Sequence, residues 1–500
     1  MAWKKDFLLC MQRTLKTVPL GGGTASSGGS TLMNFDDCRL AYRSKTTREL
    51  LRSLLVLGFC KREFLVDHSE KFVKIGKRVL GNTLFNKLMK ASFFGQFVAG
   101  ENEEEIKPFI HRIRSNFGVN VILNYAVEDD EQGGEQEKSG LIKHETGKSV
   151  RQDRREQTMY SFIKTIDQVE QTTACDGFAA IKVTALAKPE TLMAVTDMVE
   201  RWERAMEPGK YSGEPGKLSG EDILAQLATP ENGGFGSQKS LDAKLSGVRD
   251  LIRRMETIAK HADERNVRVL VDAEQTYFQP AIARLSLQLM RRYNLEKPII
   301  YNTYQCYLKR TLKDVTAHLS LSKKENFYFG GKIVRGAYIV LERERASSMG
   351  YPDPINSTFE ATTAMYKSVV QTMLEDMKAR EGKTHIVIAG HNEETVHWAV
   401  SEIRRLQLPV RSRQIYFGQL LGMCDHLSFT LADAGFNVVK CVPYGSVDEV
   451  LPYLVRRAQE NRGFLEKTVK ERRLMREELR RRLKSGELLF NPDNPQPVGA

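Results

Sequence analysis

The stretch Val119-Asn120-Val121-Ile122-Leu123-Asn124-Tyr125 is a short apolar run of strand-forming residues. Its β-branched and aromatic side chains are typical of a strand that is buried on both faces. Similar runs, each followed by a stretch with helical spacing of apolar residues, lie at 178–184, 267–271, 298–301, 331–334, 385–389, 414–417 and 436–442. Eight buried strands that alternate with helices predict a closed, parallel (βα)8 barrel of the TIM type.

An open, doubly wound sheet is the structural alternative, because it also has parallel strands covered by helices on both faces. In its dinucleotide-binding members a GxGxxG motif lies between a strand and a helix. The glycine clusters at 21–23 and 233–236 lack that context, so the barrel is favoured.

The predicted barrel accounts for only part of the chain. We predict four regions: a leader at 1–35, an N-terminal helical region at 36–115, the barrel at 116–465, and a basic C-terminal helix and tail at 466–500. Within the barrel, the segments near 128–173 and 207–243 are rich in charged residues or in Gly, Pro and Ser. This composition predicts surface insertions.

The overall composition is that of a globular protein, with 41% hydrophobic and 28% charged residues among 500. The formal net charge of +12 would allow an anionic partner. However, basic and acidic residues interleave along most of the chain and nucleic-acid-binding motifs are lacking, so we expect no nucleic-acid partner. The seven cysteines are scattered without a CxxC pair, which indicates a reducing compartment and no structural zinc.

Both ends of the chain carry basic segments. The leader's charged side chains are four cations and a single acid: Lys4, Lys5, Arg13, Lys16 and Asp6. Together with the Gly/Ser/Thr tract at 21–31, this pattern is typical of a mitochondrial transit peptide, and a leader without a targeting role is the alternative. Residues 466–484 predict a basic helix that either covers the barrel or contacts anionic lipid headgroups.

In a (βα)8 barrel the active site lies at the carboxyl ends of the strands. Polar residues recur there: Lys182; Asp272 and Glu274; Asn302, Tyr304 and Gln305; Arg335 to Tyr338; His391 and Asn392; Gln419; and Cys441 to Tyr444. Each alone has a structural explanation, such as a helix cap, but their repetition predicts a functional site. Since His391 and His397 lack metal-ligand spacing and a nucleophile motif is missing, we expect a bound organic cofactor rather than a metal.

The segment 452–461 predicts a helix with an anion-binding edge. Tyr453, Arg456, Arg457 and Glu460 recur three, four and seven residues apart and therefore share that edge. Forked guanidinium groups beside an aromatic ring can bind a small carboxylate. A solvated arginine pair is the alternative interpretation.

Five motifs follow one another along the chain: VDAEQT at 271–276, YNTYQCYLK at 301–309, KIVRGAY at 332–338, GQLLGM at 418–423 and YLVRRAQEN at 453–461. Together they resemble the eukaryotic mitochondrial branch of the proline dehydrogenase (proline oxidase) family. The resemblance extends over 72–462, apart from the two predicted insertions.

The resemblance implies a distorted (βα)8 barrel that holds FAD noncovalently and oxidises L-proline to Δ1-pyrroline-5-carboxylate. It implies that electrons pass to ubiquinone of the membrane electron-transport chain. It also implies peripheral contact with the mitochondrial inner membrane, on the matrix side.

The resemblance also implies roles for individual residues. The substrate carboxylate would be bound by Lys182, Arg456 and Arg457, and the pyrrolidine ring would be enclosed by Tyr453, Tyr338, Ala337 and Leu427. Flavin contacts are implied for Asn302, Lys332, Arg335, Gly336, Ala337, His391 and Asn392. Asp272 and Glu460 would orient the arginine and lysine side chains.

Cys441 departs from this pattern. Bacterial proline enzymes of the family resemble each other in having a tyrosine at the end of the eighth strand, whereas hydroxyproline-oxidising relatives tend to carry serine. The small side chain of Cys441 would leave room for a hydroxyl group, so the hydroxyproline dehydrogenase branch, acting on 4-hydroxyproline, is an alternative. The other motifs favour proline, and a non-catalytic amino-acid-binding barrel is the third hypothesis.

Overall fold

The computed structural model describes residues 33–60, 68–125, 147–205, 238–460 and 469–493. Most of the predicted leader therefore lies outside the described residues, as do 128–146 and 207–237 of the two predicted insertions. Among the described helices, none is both long enough and apolar enough to cross a membrane.

Eight parallel strands form a closed barrel in which each strand pairs with the next along the chain. They are β1 (Val119–Tyr125), β2 (Phe178–Ile181), β3 (Arg268–Val271), β4 (Ile300–Gln305), β5 (Phe329–Val334), β6 (Thr384–Ala389), β7 (Ile415–Leu420) and β8 (Asn437–Tyr444). All eight strands predicted from the apolar runs are confirmed, and the (βα)8 barrel with them. The open, doubly wound alternative is wrong, because β1 pairs with β8 over its whole length, from Val119 opposite Val438 to Tyr125 opposite Tyr444.

Helices precede, connect and follow the strands, and several of them pack against the barrel. They are α1 (Cys38–Tyr42), α2 (Thr47–Cys60), α3 (Ser69–Met89), α4 (Glu103–Phe117), α5 (Gly147–Thr173), α6 (Pro189–Ala205), α7 (Gln238–Glu264), α8 (Gln279–Tyr293), α9 (Thr311–Glu325), α10 (Ile339–Met349), α11 (Phe359–Ala379), α12 (Glu393–Arg405), α13 (Asp425–Asp433), α14 (Val447–Glu460) and α15 (Val469–Lys484). A π-helical segment, Lys90–Phe94, and a short helical turn, Gly95–Phe97, follow α3.

The end of the fourth strand differs from the predicted one in a way that matters for the site. The predicted fourth strand ends at Tyr301, because polar residues follow it, whereas β4 continues to Gln305. The polar residues Asn302 and Thr303 are tolerated because main-chain pairing to β5 does not depend on side-chain polarity. Consequently Asn302 lies within the strand and Gln305 lies at its carboxyl end.

Part of the first predicted insertion is a barrel helix. Residues 147–173 form α5, which packs against β1 and β2 and buries Phe162, Ile166 and Val169. The sequence pattern is misleading because the outer side of α5 is densely charged and leaves only a narrow apolar stripe. Likewise, α7 begins at Gln238, within the second predicted insertion.

The amino-terminal end of the barrel is closed by a charged cluster. The Nη1 atom of Arg268 donates to the Tyr416 hydroxyl at 2.6 Å and to Asp176 Oδ1 at 3.4 Å. Above this cluster, Phe178, Tyr301 and other buried side chains fill the barrel interior. Among the described residues, this end is filled, and the carboxyl ends of the strands are therefore the side from which we expect a ligand to enter.

The basic C-terminal helix α15 packs against α1 and α2. The fully buried Arg482 donates to Glu478 Oε1 at 2.6 Å and to the carbonyl oxygen of Tyr42 at 3.0 Å. Lys470 lies 2.8 Å from Glu393. Several cations of α15 therefore form ion pairs and hydrogen bonds that attach this helix to the rest of the protein.

The buried His385 of β6 should make stability depend on pH. Burial and the nearby Arg268 lower the pKa of His385 to about 3, so the folded protein keeps this imidazole neutral. In the unfolded chain this histidine binds a proton below about pH 6.5. Its contribution to the free energy of unfolding should therefore decrease by about 1.4 kcal/mol for each unit by which the pH is lowered between about pH 6 and pH 4. In His385→Gln, the free energy of unfolding, measured with urea at several pH values, should depend on pH with a slope that is shallower by about that amount. The control His111→Gln, at an exposed position, should keep the wild-type slope, and equal slopes in both variants would contradict the prediction.

Candidate functional site

The candidate site lies at the barrel rim, which we define as the residues at and directly after the carboxyl ends of β1–β8. Lys182 follows β2, Asp272 follows β3, Arg335 follows β5 and His391 follows β6. Because the strands are parallel and the barrel is closed, these segments surround one opening. Among these four residues, Lys182 and His391 are the furthest apart in the sequence, by 209 positions.

An ion pair crosses part of this opening. The Nζ atom of Lys332, on β5, lies 2.5 Å from Oδ1 of Asp272, which follows β3. Lys332 is opposite Thr303 of β4, and the side chains of alternate residues on β5 point into the barrel. The ion pair holds this ammonium group in a fixed position at the rim.

Lys182 provides a second cation, and this one is buried. Its side chain is 7% exposed, and its Nζ atom lies 5.4 Å from the ring centroid of Tyr453 on α14. Such a cation–π contact is favourable when it is shielded from water. Tyr453 itself is buried against Phe94 and Val450, so α14 is anchored beside the barrel opening.

The helix α14 also contains Arg456, Arg457 and Glu460. They follow Tyr453 by three, four and seven residues, which places them along the same edge of the helix. Their side chains lie outside the described part of the structure, so their predicted contacts remain predictions.

Two loops of the rim are joined by a carboxylate that the sequence analysis did not assign a role. Glu274 accepts hydrogen bonds from the backbone nitrogen of Thr184 at 3.2 Å and from its hydroxyl at 2.6 Å. The Glu274 carbonyl oxygen accepts from Gln305 Nε2 at 2.8 Å. These contacts fix the loop that carries Lys182. In the sequence, the one indication of this role for Glu274 was a hydrogen-bonding residue, Thr184, two positions after Lys182.

The structure does not bring Asn302 to the opening. Tyr301 belongs to the interior cluster, and side chains alternate along a strand, so Asn302 points to the helix layer. Tyr304 shares that outer face, and its hydroxyl contacts His318 Nδ1 of α9 at 2.9 Å. Gln305 shares the inner face with Tyr301 and is the side chain of β4 that reaches the rim.

Other predicted residues also lie in or next to the helix layer. Arg335 donates to Thr363 at 2.9 Å and to Thr395 at 3.2 Å, which places its guanidinium group between α11 and α12. Asn392 caps α12 by accepting from the Thr395 nitrogen at 2.8 Å. Leu427 is fully buried in α13, which packs against α1 and β8.

His391 follows β6, whereas Cys441 lies within β8, three residues before the end of that strand. Burial and the cation Lys440 lower the pKa of His391, and its Nε2 atom accepts from the Leu420 nitrogen at 3.0 Å, so the ring is neutral with its proton on Nδ1. Cys441 is half-buried and packs against the interior cluster, opposite Ile122 of β1. Its side chain therefore faces the inside of the barrel.

The turn from β5 into α10 consists of Gly336, Ala337 and Tyr338, all of them half-buried. Tyr338 is the N-cap residue of α10. Gly336 has φ +132°, a conformation that only glycine adopts readily. The Tyr307 ring lies against it, and a Cβ atom on residue 336 would be 2.2 Å from Tyr307 Cδ1. The turn that presents Ala337 and Tyr338 therefore requires glycine.

The inward-facing groups suit an organic cofactor with polar, partly anionic groups. Lys332 and Lys182 supply cations, Gln305 supplies an amide, and His391 supplies a neutral imidazole. The chemistry of this donor set fits FAD, whose ring carbonyl oxygens and phosphates accept hydrogen bonds.

Substitution of Gly336 tests the turn. Gly336→Ala should lower the free energy of unfolding by about 3 kcal/mol or more, because both the positive φ and the contact with buried Tyr307 are unfavourable. Gly350→Ala is the matched control: its φ is +72° and no atom lies within 4 Å of the added Cβ, so it should cost only about 1 kcal/mol. Urea unfolding measures both values. Equal costs would show that Tyr307 moves aside.

Comparison with protein families places the barrel in a known group. Residues 132–470 match the family model described as proline dehydrogenase. The chain is 37% identical over 566 residues to mitochondrial proline dehydrogenase 1 of Drosophila melanogaster, covering 92% of this chain and 82% of the relative. It is 37% identical to the human protein of the same name, covering 94% of each. It is also 38% identical to hydroxyproline dehydrogenase of Xenopus laevis, covering 88% and 89%.

Solved structures show the same fold at lower sequence similarity. Proline utilization A from Bdellovibrio bacteriovorus, inactivated by N-propargylglycine, matches with a TM-score of 0.57 and 17% identity. The match covers 93% of this chain but only 40% of that longer one. The barrel, the family model and relatives above 30% identity agree, and the chain belongs to the proline dehydrogenase family.

Proposed function

We propose that this protein is an FAD-dependent proline dehydrogenase that oxidises L-proline to Δ1-pyrroline-5-carboxylate and passes electrons to ubiquinone. The observation that carries the proposal is the pair of cations, Lys182 and Lys332, at one barrel opening in a chain of the proline dehydrogenase family. The relatives named mitochondrial proline dehydrogenase support the substrate.

On the substrate side, Lys182 binds the carboxylate of proline together with Arg456 and Arg457. A zwitterion that leaves water needs its carboxylate matched by fixed cationic donors, and forked guanidinium groups also set its orientation. Tyr453 excludes water beside Lys182, and Glu460 orients the arginines. Tyr338 and Ala337 enclose the ring at the opposite side, while Leu427 acts only through packing, because it is buried in α13.

On the cofactor side, Lys332 and Gln305 would hold FAD, and Asp272 keeps the Lys332 ammonium group in place. FAD would supply the hydride acceptor for the oxidation of proline. The positioned charge of Lys332 would stabilise negative charge on the cofactor without reorganisation. Gln305 takes the cofactor-contacting role that the sequence analysis assigned to Asn302. His391 contributes a neutral imidazole ring to the cofactor side.

The outer residues of the cofactor side act mainly by positioning. Arg335 and Asn392 link and cap α11 and α12, and Gly336 permits the turn before Ala337. These contacts hold the rim loops in the arrangement that receives the cofactor.

We also propose a mitochondrial location, on the matrix side of the inner membrane. The names of the relatives from Drosophila melanogaster and human include the word mitochondrial. The basic, acid-poor composition of residues 1–35 supports import through a transit peptide.

Anaerobic flavin reduction tests the proposed activity. The purified protein should be yellow, and its visible absorbance should bleach on addition of L-proline. Turnover with a soluble artificial electron acceptor would exclude the non-catalytic amino-acid-binding barrel. A colourless protein that takes up no FAD would refute the proposal.

The arginine pair should determine substrate affinity. Arg456→Met and Arg457→Met should each raise KM for L-proline at least about tenfold while FAD stays bound, because each removes a charged hydrogen bond to the carboxylate. Steady-state kinetics and the flavin absorbance measure the two effects separately. The control Arg473→Met removes a surface ion pair with Asp36 and should change neither. Loss of flavin in both site variants would show that the arginines are structural.

The hydroxyproline dehydrogenase activity is the second candidate function, favoured by the small, inward-facing Cys441 and by the similarity to the Xenopus laevis hydroxyproline dehydrogenase. Cys441→Tyr should lower kcat/KM for 4-hydroxyproline relative to L-proline by about tenfold or more, because the larger ring removes the space for a hydroxyl group. Cys441→Ser, which keeps that space, is the matched control and should leave the ratio nearly unchanged. A constant ratio in both variants would mean that residue 441 does not contact the substrate ring.

A further inference from the structure

The helix α3 exposes apolar side chains that the barrel does not cover. Phe72, Ile75 and Val79 are 43%, 57% and 73% exposed and recur three and four residues apart, so they share one face. Beyond the break at Gly81, Leu84 and Leu88 are 55% and 54% exposed. A run of large apolar side chains at a surface is unusual unless another apolar phase covers it.

A second apolar stripe lies on α2. Leu51, Leu55 and Phe59 are 52%, 66% and 52% exposed and follow one another every four residues. The Phe59 ring lies 6.4 Å from that of Phe93, in the π-helical segment that continues α3. The exposed stripe of α2 therefore meets the segment into which α3 leads.

Basic residues run beside the apolar face of α3. Lys71, Lys74 and Arg78 are exposed and each precedes one of the apolar residues, so they form a parallel stripe about 100° further round the helix. In the sequence of α3, five basic residues stand against the single acid Glu70. An apolar face with flanking lysines is the pattern of a helix that lies in the interface of an anionic membrane.

We propose that α2 and α3 form a docking surface for a bilayer that contains anionic lipid. The exposed apolar side chains enter the boundary between headgroups and acyl chains, and Lys71, Lys74 and Arg78 contact the headgroup phosphates. The C-terminal helix α15 is less suited to this role, because its cations Lys470, Arg473 and Arg482 are already engaged with acids of the protein.

The position of α3 links this surface to the candidate site. Lys77 lies 2.6 Å from Asp448 of α14, and Phe94, shortly after α3, packs against Tyr453. Docking through α3 therefore places α14 next to the membrane, where a lipid-soluble electron acceptor is dissolved. This link rests on the proposed function, whereas the lipid contact itself does not.

Vesicle sedimentation of the purified protein tests the apolar contact. Vesicles of equal parts phosphatidylcholine and phosphatidylglycerol should bind the protein. Val79→Glu should weaken binding about tenfold or more, because an apolar side chain that enters the lipid is replaced by an anion. Val469→Glu is the matched control: Val469 is 59% exposed at the start of α15, and its replacement should leave binding unchanged.

The charge contact is tested by lipid composition. The double variant Lys74→Gln and Arg78→Gln should lose affinity for the mixed vesicles, and the wild-type protein should bind phosphatidylcholine alone much more weakly. Added salt should weaken wild-type binding and weaken that of the double variant less.

Three results would overturn the proposal. The first is that the wild-type protein does not bind vesicles, and the second is that Val469→Glu loses as much binding as Val79→Glu. The third is a change of oligomeric mass in Val79→Glu with unchanged vesicle binding, which would assign the surface to a second copy of the chain. Anaerobic bleaching by L-proline should be the same in wild type and Val79→Glu. A failure of bleaching would therefore refute the proposed activity and leave the docking surface standing.

Discussion

Pairing of β1 with β8 closes the sheet, and the candidate site exists because of that closure. In an open sheet the ends of β3 and β5 would lie along one edge, whereas the closed barrel arranges Asp272 and Lys332 around one opening, where they form an ion pair. The cluster of Arg268, Tyr416 and Asp176 fills the other end. Within the described ranges, closure thus leaves the interior open at the carboxyl ends of the strands, where polar side chains surround it.

A buried charge network attaches the terminal helices to this barrel. Asp425 of α13 lies between Lys440 of β8, at 2.8 Å, and Lys45, at 2.9 Å. Burial by itself would raise the pKa of Asp425, but the two lysines lower it to about 2, so the carboxylate stays charged and keeps both ion pairs. Because Lys45 precedes α2, the network fixes α2 relative to β8. A separate ion pair, between Lys77 and Asp448, links α3 to the helix that carries Tyr453.

Most of the fold could be predicted from the sequence, while the assignment of rim residues could only partly be predicted. Apolar runs located all eight strands, since a strand covered on both faces needs apolar side chains on both. Because β4 ends in polar residues, the sequence predicted its end too early, and Asn302 was expected at the rim. In the structure the Asn302 side chain faces the helix layer, and Gln305 faces inward. Similarly, the charged outer side of α5 concealed a helix with Phe162 and Ile166 buried beneath it.

The sequence by itself determined the barrel class, the family and the kinds of group at the rim, because these depend on residue type and order along the chain. Only the tertiary structure decided which side chains meet. Strand register selects the inner or the outer face, and packing between distant elements sets exposure. The contact of Lys182 with Tyr453, 271 positions later, depends on the packing of α14 against α3 and the π-helical segment. The exposure of Val79 follows from the absence of covering groups among the described residues. Neither is encoded in local sequence, since both depend on the positions of residues that are remote along the chain.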